Sequence, residues 1–205
     1  MTPTPASPPQ RPGAATRRLA LIRAACAIIA DRGFEGLRTR AVAAKAKVNI
    51  ATLHYYFPTK EALIGGVAEY MSSLFRSIRA PEQALDRGTP PALAAFRREL
   101  ADVRYYWAHH RQMLEVMMEL TRRAQRDPAV RRAMRPLNDH WFSSILDVIV
   151  AGQGERVFRT DLDAETLTMI VATFLAGVPL WAPDPVAFDD ACTTIEKLLL
   201  RAPSR

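Results

Sequence analysis

Residues 38–61 read RTRAVAAKAKVNIATLHYYFPTKE, and the fold is decided there. Val42 and Ala43 give a first short helix a small apolar face, and Ala46-Lys47-Val48 make a tight turn after it. Asn49 then stands at a helix N-cap, where its side-chain oxygen can accept from the first unpaired amides. The helix behind it, residues 50–57, buries Leu53 and Phe57, four apart on one face. Ile50, Ala51, Thr52, His54 and Tyr55 are left to look elsewhere. A short helix with one narrow buried edge and a polar, aromatic remainder suits the major groove of DNA.

The same residues carry a family resemblance. Gly33-Phe34, Arg40-Ala41-Val42-Ala43, Val48-Asn49, Thr52-Leu53-His54-Tyr55-Tyr56-Phe57 and Lys60-Glu61-Ala62-Leu63 together resemble the TetR family of bacterial transcription regulators. The resemblance covers residues 16–63; beyond them only length and helix content are similar. Lys47 stands where the family usually has glycine, and His54 where tyrosine is common. A lysine forced to positive φ in the turn costs on the order of 1 kcal/mol relative to glycine.

The resemblance implies roles for matching positions. Thr52 would donate to phosphate, and Tyr55 would meet the DNA backbone or a thymine methyl. Lys60 would meet phosphate at a positive helix N-terminus, and Arg40 would contact base or phosphate. Arg38, Lys47, Asn49, Ile50, Ala51 and His54 join this candidate surface by position on the motif alone. Tyr56, beside Phe57, is expected to pack inward.

Charge points the same way. Residues 1–60 hold ten Lys and Arg against Asp31 and Glu35, a net +8, and residues 61–205 come to −1. The whole excess of +7 therefore lies on the segment with the two-helix motif, where counterion release gives salt-dependent affinity for a duplex.

Apolar residues recur at three- and four-residue spacing almost throughout, so the fold class is all-α. Three units are expected: a disordered Pro-rich arm (1–15), a helix-turn-helix DNA-binding domain (16–62) and an effector-binding and dimerisation domain (63–205). Arg11, Arg17 and Arg18 are placed to reach phosphate from the arm and the first helix. That helix, 16–32, carries a stripe of Leu19, Ile22, Cys26 and Ile29 and ends at Gly33. Thr59 caps a fourth helix reaching residue 79, the lever between the two domains. Asp127-Pro128 starts a long helix, and Asp163 begins one that is apolar nearly all round from 169 to 178. Its apolar run, 167–180, falls short of the ~20 residues a membrane span needs. The protein is expected in the cytoplasm. Cys26 and Cys192 read as small core residues rather than a disulfide.

In the second domain, Phe75, Phe96, Tyr105, Trp107, Met113, Met117, Trp141 and Phe174 are candidate lining for an effector pocket, each also explicable as core. Leu167, Ile170, Val171, Phe174, Val178, Ile195, Leu198 and Leu199 are the candidate dimer interface, a four-helix bundle across a two-fold axis. His109 and His110 point apart on a helix and lack partners at ligand spacing, so no metal site is expected, and no cofactor. The sequence has no Gly-rich phosphate loop and no G-x-S-x-G. The expected function is a ligand-responsive transcriptional repressor, dimeric on a palindromic operator and released by a hydrophobic or aromatic effector. A non-specific architectural DNA-binding protein is the alternative. It leaves about 140 near-neutral, core-patterned residues without a purpose.

Overall fold

The computed structural model describes residues 13–81, 88–182 and 184–201. Among these, the chain order is α1 (Ala14–Arg32), a 3-10 turn (Phe34–Gly36), α2 (Thr39–Lys45), α3 (Ile50–Tyr56), α4 (Lys60–Ser77), α5 (Pro91–His109), α6 (Arg111–Ala124), α7 (Pro128–Gly154), α8 (Ala164–Trp181) and α9 (Pro185–Leu199). The class is all-α, as expected; one isolated bridge joins Phe158 to Leu200. Most of the expected arm, with Arg11, lies outside the described residues. Its last residues do not: Gly13 precedes α1, and Ala14 and Ala15, strong helix formers, already belong to it.

Two hydrophobic cores organise the molecule. The first joins α1 to α4 with the end of α5, α6 and the start of α7, through Ile22, Ile29, Phe57, Met71, Leu120 and Met134. The buried face of α1 is Leu21, Ile22, Ala24, Ala25, Ile28 and Ile29, while Leu19 and Cys26 are only half-buried. Truncating Ile29, wholly enclosed, to alanine would cost about 2–5 kcal/mol. The second core joins the start of α5, the end of α7, α8 and α9 around Phe96, Phe158, Leu175 and Phe188. The expected boundary at 62/63 thus falls inside α4, and the core of the reading unit runs on into α6 and α7.

The segment after α7 is closed by a glycine. A Cβ at Gly152 would stand 2.0 Å from the Phe158 ring, so the buried phenyl folds back over the helix end only because none is there. The Arg159 amide then donates to the Leu199 carbonyl and the Arg201 amide to that of Val157, both at 2.9 Å, tying this loop to the end of α9.

The helix α8 begins on Asp163, whose carboxylate accepts from the Thr166 amide at 2.8 Å. At 18 residues it is long and apolar enough to cross a membrane by length and composition only, a measure that the core helix of a soluble protein also meets. The shorter run read from the sequence, 167–180, omits Ala164, Glu165 and Thr166 before it and Trp181 after. It is not buried all round. Leu167, Thr168, Val171, Ala172, Leu175 and Val178 pack against the protein, while Met169, Ile170, Leu180 and Trp181 are exposed, Trp181 by 85%.

Candidate nucleic-acid interface

The turn between α2 and α3 is built by backbone geometry. The Lys47 amide donates to the Ala44 carbonyl at 3.1 Å and the Val48 amide to that of Ala43 at 3.0 Å, the pair of bonds that closes a helix on a left-handed residue. Lys47 is that residue, with φ of 55°, so the lysine accepts the strain expected of it and holds its charged side chain exposed. Asn49 caps α3: its Oδ1 accepts from the Thr52 amide at 2.7 Å and from the Thr52 hydroxyl at 2.8 Å. The Thr52 proton intended for phosphate is therefore held by the cap. Contact with phosphate needs that hydroxyl to turn or Asn49 to donate in its place.

Leu53 and Phe57 are buried, which fixes the roll of α3. The opposite face is open. Tyr55 is 80% exposed and Ile50 40%, with Asn49, Ala51 and His54 exposed beside them. Arg38 and Arg40, at the start of α2, are exposed as well. Tyr56 is half-buried against the first core and meets Tyr55 edge-on at 5.1 Å. Lys60 opens α4, whose N-cap Thr59 accepts from the Ala62 amide at 3.0 Å. Its ammonium lies 4.6 Å from the centre of the Phe34 ring, with the Arg123 guanidinium over the same ring at 4.9 Å. Arg18 is likewise engaged, paired with Glu69 at 3.2 Å and lying over Phe57. Both cations begin from protein partners rather than from solvent.

The far end of α4 is gripped by α5. The Tyr106 hydroxyl donates to a carbonyl of α4's last turn, with Phe75 and Ile78 at 3.1 and 2.9 Å. Asp102, 1% exposed, accepts from Arg79 at 2.6 Å and from the Ala80 amide at 2.7 Å. The bond to Asp102 raises the Arg79 pKa, and burial pushes the Tyr106 phenol up to about 12 and raises Glu99. Sequence reading missed this anchor because the partners of Asp102, Arg79 and the Ala80 amide, lie 23 and 22 residues away along the chain, while Arg98 stands at a helical spacing that offers a local partner instead. Its signal was a polar row, Glu99, Asp102 and Tyr106, at helical spacing.

The eight candidate pocket residues do not converge. Phe75, Tyr105, Met113 and Met117 belong to the first core, and Phe96, Trp107, Trp141 and Phe174 to the second. Phe75 meets Tyr106, Phe96 meets Phe158 and Trp107 stacks on Phe188, pairings of core packing. A hollow of about 470 Å³ lies elsewhere, between α1, α4 and the α5–α6 corner, and Met113 is the one candidate that lines it. Burial pushes the thiols of Cys26 up to about 12 and Cys192 to about 11, and neither is disulfide-bonded. Among the described residues no three His, Cys, Asp or Glu side chains gather as a metal site.

Of the candidate dimer residues, Leu167, Val171, Val178, Ile195 and Leu199 are buried within the protomer and Phe174 half-buried. Ile170 (46% exposed) and Leu198 (58%) face outward. The former group packs α8 and α9 into their own chain; only the latter is open to another.

A reading helix held out by a tight turn, on a basic unit rooted in a second helical domain, defines a helix-turn-helix DNA-binding protein. Comparison with known proteins agrees. Residues 21–67 match the profile of bacterial regulatory proteins of the tetR family, and residues 108–200 that of the BetI-type transcriptional repressor C-terminal domain. The HTH-type transcriptional repressor NicS of Pseudomonas putida is 24% identical over 153 residues, 75% of this chain and 71% of its own. KstR of Rhodococcus jostii, another such repressor, is 31% identical over 119 residues, 58% of this chain and 45% of its own. In fold, a TetR regulator from Haloarcula marismortui superimposes with a TM-score of 0.73 at 22% identity, over 91% of this chain and all of the other. A regulator from Saccharomonospora viridis solved with choline gives 0.69 at 19%, over 92% of this chain and all of the other. The chain belongs to the TetR family of bacterial regulatory proteins. It is a DNA-binding transcriptional regulator, not an enzyme.

Proposed function

We propose that this regulator is a repressor that binds a palindromic operator as a homodimer and leaves it when a small effector with a hydrophobic or aromatic body binds. The observation that carries this is the path of α4. It starts on the Thr59 cap beside the reading helix and ends in the grip of Asp102 and Tyr106, so displacement at one end is felt at the other. Residues 16–62 act as the reading unit and 63–205 as the sensing and dimerisation unit. Arg38, Arg40, Lys47, Asn49, Ile50, Ala51, Thr52, His54, Tyr55 and Lys60 form the DNA surface, with Tyr55 and Ile50 the apolar groups that meet base edges. The exposed apolar face of α8 and α9 is where the second copy packs, setting two reading helices roughly 34–36 Å apart. Choline in the Saccharomonospora neighbour supports a small-molecule site in this fold, though not its chemistry here. Release demands that the effector bind the two states unequally.

The test is selection of genomic DNA fragments by purified protein at two salt concentrations. A palindromic motif that sharpens at higher salt supports the reading. Diffuse, salt-sensitive enrichment without a motif replaces it with architectural DNA binding.

A further inference from the structure

We propose that the hollow between α1, α4 and the α5–α6 corner binds a small amphipathic organic anion, a carboxylate on an aromatic or branched apolar body, and that the effector acts there. This rests on the ligand-responsive reading above and gives it a place and a chemistry. At about 470 Å³ the hollow falls in the size range of small-molecule clefts. Its apolar wall is Met71, Leu74, Ile78, Met113 and Val116. Its polar groups are Arg23 from α1, His109 and His110 from the end of α5, and Arg111 and Gln112 from the first turn of α6, with Tyr70 from α4.

Among the described residues no aspartate or glutamate lines the hollow. The guanidiniums of Arg23 and Arg111 and the Gln112 amide offer donors, while His109 gives its Nδ1–H to the Tyr105 carbonyl at 3.2 Å, so a carboxylate finds partners among the described residues and an ammonium finds none of opposite charge. A quaternary amine needs a cage of aromatic faces or a carboxylate, and among the described residues Tyr70 is the one phenol or phenyl ring in the lining. The α6 helix starts here without a side-chain cap, so its first amides and its positive dipole end add to the same preference. Arg111 already meets Glu115 at 3.4 Å, on the exposed side. Arg23 gives its Nε–H to the Tyr70 hydroxyl at 3.3 Å and makes no ion pair among the described residues.

That Arg23–Tyr70 bond links the first helix of the reading unit to the lever. A carboxylate that takes Arg23 competes with it, while the apolar body lodges against Met71 and Leu74 on α4. The ligand thereby touches reading unit, lever and sensing domain at once.

The experiment titrates the full-length protein, without DNA, with 1-naphthoate, octanoate and the isosteric cation 1-naphthylmethylammonium in a calorimeter. Saturable binding of at least one carboxylate is expected, with the ammonium at least tenfold weaker. Arg23→Gln with Arg111→Gln should weaken the carboxylate roughly tenfold or more. Met113→Trp, which fills the hollow, should abolish binding while circular dichroism stays as in the parent. Binding untouched by these variants, equal or tighter binding of the ammonium, or no saturable carboxylate binding overturns the proposal. Because the heat is read without DNA, failure to find an operator in the fragment selection is a separate result.

Discussion

Glu119 reaches back across 85 residues of chain to accept the Phe34 amide at 3.1 Å, binding α6 to the 3-10 turn that precedes the reading unit's second helix. The same oxygen accepts from Arg122 at 2.9 Å. Gly33, just before, has φ of 64° and leaves the carboxylate room: a Cβ there would stand 3.2 Å from Oε2. The second domain and the helix-turn-helix unit are therefore joined by a charge-assisted bond as well as by α4.

The Glu119 carboxyl is held below its ordinary 4.5, by Arg122 foremost and by the Phe34 amide as well. A depressed folded pKa contributes stability above the unfolded value, lost as pH falls through the folded one. Glu119→Gln should then cost about 1–2 kcal/mol near neutrality. The difference in urea midpoint from the parent should shrink between about pH 6 and pH 3. A gap independent of pH would show that the carboxylate's charge does not matter here.

Lys47→Gly relieves a left-handed lysine and should raise stability by about 0.5–1 kcal/mol, or roughly 1–4 °C in Tm. If Lys47 meets phosphate, the slope of log affinity against log salt should fall by about one unit. A melting temperature at or below the parent's would mean the turn is not strained.

Asp102→Asn removes a charge that is itself buried and faces Arg79. About 1–3 kcal/mol should be lost, seen in urea unfolding, because Arg79 and the Ala80 amide lose a strong acceptor. Amide exchange should quicken first at the last turn of α4. Uniform loss across the chain would deny Asp102 a local role as anchor.

For the dimer, a charge at Ile195 would be a poor probe, since that side chain is buried in its own chain and the fold would fail first. Ile170→Lys with Leu198→Glu changes exposed positions instead. Sedimentation should then find monomers with helicity unaltered; persistent dimers would move the interface off α8 and α9.

The local chemistry of this protein was open to inspection in its sequence. Asn49, Thr59, Asp127 and Asp163 cap the helices they were expected to cap, since capping needs only a short polar side chain and amides two or three residues on. The roll of α3 followed from Leu53 and Phe57 for the same reason. What could not be read was distant pairing. Periodicity places Phe96 and Met113 on inward faces but not in which core, and it carries no trace that Asp102 would meet Arg79 or Glu119 the Phe34 amide. The apolar faces of α8 illustrate this: spacing reports that side chains are apolar, not which of them the same chain will cover.

The capping pattern has a kinetic corollary. The helices α3, α4, α7, α8 and α9 start on side-chain caps, whereas α1, α2, α5 and α6 start with none. At the α5–α6 junction, where His110 caps neither helix with its side chain, winding can slip by a fraction of a turn at little cost, while α4 and α7 stay pinned at their starts. One wall of the hollow is built from that junction, so its contour can be recast around ligands of different outline without disturbing the scaffold.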